Sequence, residues 1–331
     1  MTAPVSCGTP FGLIKQPRRL LVLAPANRLA PARCEQPKLS GKTEFAHSRM
    51  RYMDIKTIAV FIDGTPARET RMAYAVNLAA RHGAHLIGIF QLPPDLTGHA
   101  PSSFIRGQTA IAGLLKQQEA ENKTRISEAQ TTFEKLAARQ DVRCEFRVHT
   151  ARNHDERRHG SLHADLVVAS NPRGFWPEDG SAPDVVQLTT GVPFLLIPAL
   201  WQRTDPPQRI LVGWNASREA RRAIGDALPL LAMATSVTVL IVDPPATTLP
   251  GEATGVDVAM FLLRHGVRLT IDPVQSHGKS IADVIIEHAV SNEHDLIVLG
   301  AYSHARAKEI VLGGVTRSLL THSPMPLLIS H

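Results

Sequence analysis

Cysteine, aromatic side chains and long apolar runs are all scarce in this chain of 331 residues. The cysteines are Cys7, Cys34 and Cys144. Only Cys144 lies beyond residue 52, so no intramolecular disulfide framework can staple the main body, and the chain suits a reducing compartment. Cys144 sits in a strand-like run, where a buried, inert thiol is expected rather than a nucleophile. No stretch approaches the roughly 18 apolar residues of a membrane-spanning helix. Lys15, Arg18 and Arg19 ahead of Leu20 to Ala24 imitate a signal peptide, but that apolar part is five residues long and Pro25 interrupts it. Aromatic content is 5% against 44% hydrophobic residues, an ordinary balance for an α/β protein. The net charge of +6 is local: residues 1–52 hold nine Lys and Arg beside Glu35 and Glu44, and the remainder carries 27 basic and 28 acidic side chains. A nearly neutral body argues against a nucleic-acid surface.

Residues 1–52 hold six prolines and no sustained periodicity, so they read as a disordered extension. Met50 and Met53 close that stretch, which fits a start codon assigned too far upstream better than an Arg-rich targeting peptide. Thr57 to Ile62 then reads as a strand. Asp63-Gly64-Thr65-Pro66 reads as a turn, with Thr65 as N-cap and Pro66 at the first helical position. Met72, Ala75, Val76 and Ala79 form the apolar face of a helix that Gly83 closes. Further strands are expected at Ala84 to Phe90, Val142 to Val148, Asp165 to Ala169 and Val192 to Ile197. A long charged helix, Thr109 to Arg139, separates the second strand from the third.

After a linker, "ALWQRTDPPQ", the pattern restarts. Arg209 to Trp214 repeats the first strand, and Asn215-Ala216-Ser217 repeats the Asp63-Gly64-Thr65 turn. A helix ends near Ala234. Strands follow at Ser236 to Val242 and Val267 to Val274, then a helix from Ser280 to Ala289. "ADLVVAS" at 164–170 matches "HDLIVLG" at 294–300. "GVPFLLIP" at 191–198 matches "SPMPLLIS" at its Pro193/Pro326 anchor. This is an internal duplication with a unit of about 130 to 140 residues. Each unit is βαβα-like, which implies a parallel sheet covered by helices on both faces.

The closing stretch is the most informative. Asp295 to Leu299 is a short apolar, β-branched run, ended by Gly300. A loop carrying Ser303, His304, Arg306 and Lys308 follows. Gly313-Gly314 opens the helical stretch Val315 to His322, and Pro324 stops it before a last strand, Pro326 to Ser330. A glycine pair at a helix start beside a parallel strand can bind an anion, because free N–H groups and the helix dipole face outward there. The same pair can serve only a tight strand-to-helix connection.

The spacing resembles the phosphate loop of the universal stress protein (UspA) family: Gly, two residues, Gly, nine residues, Gly, then Ser or Thr. Gly300 and Gly313 fit, Ser303 replaces the second Gly, and Gly314 replaces the Ser or Thr. "DLIVLGAYSH" and "SPMPLLIS" resemble the family's flanks. The resemblance covers about residues 54–331, most closely in the second unit. It implies two tandem Rossmann-like (UspA-like) domains, each with a five-stranded parallel sheet flanked by helices. The expected layout is an extension at 1–52, domain 1 at 53–198, a linker at 199–208 and domain 2 at 209–331.

The resemblance places a nucleotide site in the second unit, at Gly213, Asn215, Gly300, Ser303, His304, Gly313, Gly314, Val315 and Thr316, with ATP as the ligand. In the family an Asp after strand one helps hold the ligand. Asn215 stands there without the charge. Counting back from Pro193 aligns Gly180-Ser181 with Gly313-Gly314, so the first unit keeps Asp63, Gly180 and Ser181. Ser170, however, replaces its strand-end glycine, and Glu178 and Asp179 would repel a phosphate. The first unit is therefore expected to be a degenerate site.

No Gly-x-Ser-x-Gly elbow or ordered triad occurs, so no catalytic residue is assigned. His159 and His163 have metal-sharing spacing, but nothing completes a site. The expectation is a cytoplasmic tandem universal stress protein with a regulatory stress-response role, binding nucleotide weakly or not at all and carrying no certain cofactor. The alternatives are an ATP-binding member using its second domain, and an adenine-nucleotide hydrolase. Expected assembly is an internal pseudo-dimer of the two units, with Pro193 to Ile197 and Leu327 to Ile329 near the seam. A homodimer of the whole chain is open, and neither nucleic acid nor membrane is a partner.

Overall fold

A computed structural model describes residues 54–65, 67–92, 108–150, 161–171, 190–244, 255–301 and 314–330. In unit one the strands are β1 (Thr57–Ile62), β2 (His85–Leu92), β3 (Cys144–Thr150), β4 (Leu166–Ser170) and β5 (Phe194–Ile197), with helices α1 (Arg68–His82) and α2 (Gln108–Arg139). In unit two they are β6 (Arg209–Gly213), β7 (Ser236–Val242), β8 (Leu269–Val274), β9 (Leu296–Gly300) and β10 (Leu327–Ser330). The helices of unit two are α3 (Arg218–Met233), α4 (Val256–Arg264), α5 (Ile281–Ser291) and α6 (Gly314–His322).

All ten strands form one sheet, in the order β3-β2-β1-β4-β5-β10-β9-β6-β7-β8. Each half is five parallel strands, and the halves meet where β5 and β10 pair antiparallel, with Leu195 opposite Leu328. One apolar layer runs along each face and spans both units, so the sheet is sandwiched throughout. Side chains tie the units further. Arg81 donates to the Met233 carbonyl at 2.7 Å, Asn77 to the Thr204 carbonyl at 3.0 Å, and Arg222 to the Gly191 carbonyl at 3.1 Å. The linker is packed as well: Trp201 contacts both apolar layers, and Arg203 lies over its ring and 3.7 Å from Asp295.

The repeated aspartates explain why each unit begins its sheet where it does. Asp165 accepts the N–H groups of Lys56 and Thr57, and Asp295 accepts those of Gln208 and Arg209. Each carboxylate therefore satisfies the backbone entering the unit's first strand, which the strand ladder leaves unmet. Among the described residues no helix is long and apolar enough to cross a membrane.

Several local expectations change. Thr65 is not the cap of α1: the N-cap is Ala67, which makes no side-chain cap bond. The Thr65 hydroxyl and N–H are both taken by Asp63 Oδ1, at 2.5 and 2.9 Å, which closes an Asx turn two residues too early to cap the helix. Ser217, by contrast, does cap α3, accepting from Ala220 N–H at 3.1 Å. The two turns also differ in backbone. Ala216 adopts a left-handed φ of 57°, whereas Gly64 keeps an ordinary one. Helix α4 is an element the sequence reading lacked. Its apolar face, Val258, Ala259 and Leu262, is short, and its N-cap is Gly255 at φ 88°, without a side-chain signal. Cys144 is half-buried at the start of β3; burial and the nearby Glu134 charge push its thiol up, away from the reactive thiolate. His163 lies in a turn rather than on a helix, and His154 and His159 fall outside the described residues. So do residues 1–53.

Candidate functional site

In each half the strand order reverses beside the first strand, so the crevice lies at the carboxyl ends of β1 and β4 in unit one and of β6 and β9 in unit two. Both pairings stop at the same place. The last partners are Val60 with Val168, and Val212 with Val298. Beyond them the strands part, and the residues that follow line the opening.

In unit two that opening is framed by Gly213, Asn215 and Gly300. Gly300 is there for packing. A Cβ on it would lie 2.3 Å from the Glu219 carbonyl carbon and 2.4 Å from Ala220 N, both backbone atoms of the first turn of α3. Only glycine lets that turn sit against the strand end. At Gly213 a Cβ would meet the Leu299 side chain at 2.6 Å, a neighbour with freedom to move. Asn215 is exposed, and its Oδ1 accepts the Ser217 N–H at 3.2 Å. Gly314 is the exposed first residue of α6, with nothing within 4 Å of an added Cβ. Val315 is half-buried, packed against the apolar layer, and Thr316 is buried at 7% exposure, so its hydroxyl does not stand at the open helix end. Ser303, His304 and Gly313, with Arg306 and Lys308, lie outside the described residues.

The structure adds Glu219, which the sequence pattern did not single out. Its backbone presses on Gly300, its side chain is 11% exposed, and its carboxylate pairs with Arg218 at 3.2 Å. It is the acidic first-turn residue of α3, where the helix dipole favours negative charge. A carboxylate there competes with any phosphate drawn to the same end of the sheet. It lies in the turn after the unit's first strand, so inspecting only the glycine loop missed it.

Unit one holds different chemistry at the same place. Arg71 is 1% exposed, and its Nε donates 3.0 Å to the Phe61 carbonyl, just past the end of the β1–β4 pairing. Its Nη2 stands 2.8 Å from Asp63 Oδ1 as an ion pair, out of hydrogen-bond alignment. Burial alone would push the Asp63 carboxyl up. The Arg71 charge and the Thr65 hydrogen bonds together outweigh it and hold the carboxyl below its ordinary range. The carboxylate that the resemblance assigns to a ligand is therefore already engaged. Ser170 is half-buried at the end of β4, and Asn171 beside it is 3% exposed. Gly180 and Ser181 lie outside the described residues. No group of three or more His, Cys, Asp or Glu able to hold a metal occurs among the described residues.

A tandem pair of parallel α/β units, each with a ligand crevice at its switch point and joined through their fifth strands, defines the class. Residues 207–331 match the model of the universal stress protein family. The chain is a tandem two-domain member of that family, and its second unit is a universal stress protein domain. By structure it is similar to a universal stress protein from Archaeoglobus fulgidus DSM 4304, with a TM-score of 0.56 and 13% identity over 82% of this chain and 97% of that one. A putative universal stress protein from Pseudomonas aeruginosa UCBPP-PA14 is similar at a TM-score of 0.52 and 13% identity, over 83% and 93% of the two chains. These likenesses concern the fold. No curated protein matches the chain.

Proposed function

We propose that this universal stress protein acts in the cytoplasm as a regulatory binding protein of the stress response, without turnover, and that adenine-nucleotide binding is weak or absent and confined to unit two. The engagement of Asp63 by Arg71 carries this reading. The charged ligand-holding position of unit one is neutralised from within, and unit two has the uncharged Asn215 in its place. Glu219 beside Gly300 further weakens a phosphate site. Losing one or two charge-assisted contacts costs about 1–3 kcal/mol each, roughly 5- to 150-fold in affinity.

Calorimetric titration of ATP into the wild type and Gly313→Asp tests the reading. A weak or absent signal supports it. Tight binding lost in Gly313→Asp establishes the ATP-binding alternative, and tight binding with phosphate release establishes the hydrolase. Tight binding unaffected by the substitution places the ligand outside unit two and sinks the assignment.

A further inference from the structure

Three polar atoms at the unit-one switch point are buried without a hydrogen-bond partner: Arg71 Nη2, Asn171 Nδ2 and Asn171 Oδ1. Buried groups of this kind are rare and call for an explanation. Two neighbouring strands supply them. Arg71 reaches the Phe61 carbonyl where the β1–β4 pairing has just ended. Continued along the same register, Asp63 falls opposite Asn171, and adjacent strands lie about 4.8 Å apart.

The scaffold does not require these groups. The buried face of α1 repeats in α3, where Arg71, Met72 and Ala75 correspond to Ala223, Ile224 and Ala227. The register places Ala301 of unit two where unit one has Asn171. Ala223 and Ala301 are 1% and 0% exposed, so unit two fills both positions with methyl groups.

The chemistry of the unmet atoms defines what would satisfy them. The Arg71 charge is balanced by Asp63, so a further anion is not called for, and a phosphate would meet the Asp63 carboxylate. What is unmet is two N–H donors and one oxygen acceptor. A carbonyl oxygen has two lone pairs. With an N–H beside it, one ligand edge satisfies all three. We infer that unit one binds a small uncharged ligand through a lactam or carboxamide edge, of the kind uracil and hypoxanthine present. The ligand carbonyl accepts from Arg71 Nη2 and Asn171 Nδ2, and its N–H donates to Asn171 Oδ1. An amidine edge such as adenine's offers a ring nitrogen with one lone pair and leaves a donor unmet. This inference is independent of what unit two binds.

The test uses the full chain, with thermal unfolding and calorimetry in the presence of millimolar uridine, inosine or adenosine. Uridine or inosine should raise the unfolding midpoint, and adenosine should raise it less. Asn171→Leu removes both amide atoms at similar volume. It should raise the midpoint of the ligand-free protein and weaken uridine or inosine binding about tenfold or more. Should the leucine variant fail to fold, Asn171→Ala, which places unit two's residue at this position, gives the same binding readout. No shift with any probe overturns the inference and leaves the unmet atoms to ordered water. An equal response to adenosine, or binding unchanged in the Asn171 variants, overturns it as well.

Discussion

At the end of β1, Asp63 faces a buried arginine, and at the end of β6 the matching Asn215 has only Ala223 at the corresponding helical position. The difference shows that charge and counter-charge vary together on a repeated scaffold. A buried guanidinium without its carboxylate, or the reverse, is far costlier than the neutral pair. One position stays constant in role. Asp63 Oδ1 and Asn215 Oδ1 both accept the N–H two residues on, so either residue closes the turn. What the acid adds in unit one is a partner for Arg71. What unit two gains instead is close packing, since Gly300 admits the backbone of α3 where unit one has Ser170.

The largest expected effect comes from breaking the unit-one pair asymmetrically. Arg71→Ala should destabilise by about 3–5 kcal/mol, because it strips the counter-charge from Asp63 and leaves a cavity. The double variant Asp63→Asn/Arg71→Ala, which installs unit two's residues, should recover part of that loss. Chemical denaturation of the four proteins of the cycle measures it, and a double variant no more stable than Arg71→Ala would show that the two residues are not coupled.

The glycines should separate next. Gly300→Ala places a methyl 2.3 Å from backbone that cannot step aside, and a loss of about 2–3 kcal/mol is expected. Gly314→Ala meets nothing within 4 Å and should stay within about 0.5 kcal/mol. Equal effects in thermal unfolding would mean that the strand end and α3 do not make the contact described.

A smaller difference depends on pH. His294 of unit two is buried where the aligned residue of unit one is Ala164, and its Nε2 lies 3.1 Å from the Thr238 hydroxyl. Its ring is 5.6 Å from that of His288, which contacts Asp272 at 3.0 Å. Burial, then the neighbouring His288 and Arg209, lower the His294 pKa to about 4, against a partial upward pull from the Ala289 backbone. The folded state thus disfavours the protonated ring. Its contribution is complete above the unfolded value of about 6.5 and is lost as pH falls from there through about 4. With solvent screening allowed for, this amounts to about 1–2 kcal/mol. His294→Ala should flatten the stability profile across that window, and an unchanged slope would assign the acid sensitivity to other groups.

The sequence by itself determined the duplication, the parallel α/β architecture and most strands, because short apolar runs bounded by glycine and proline are local signals that each unit states independently. Matching the two runs of "DL" strands also located the crevices, since chain order fixes where the strand order reverses. Local pattern could not show that Arg71 turns inward from a helix face that otherwise reads as apolar, that Gly300 answers to the backbone of α3, or that Glu219 stands beside it. Each of these depends on a residue distant in the chain: about 10 positions for Arg71 and Phe61, and about 80 for Gly300 and Glu219. The tertiary structure decided them because a buried charge or a missing Cβ acquires its meaning only from the atom it meets. The sequence made Asp63 a ligand residue by resemblance, and the fold had already given its carboxylate a partner.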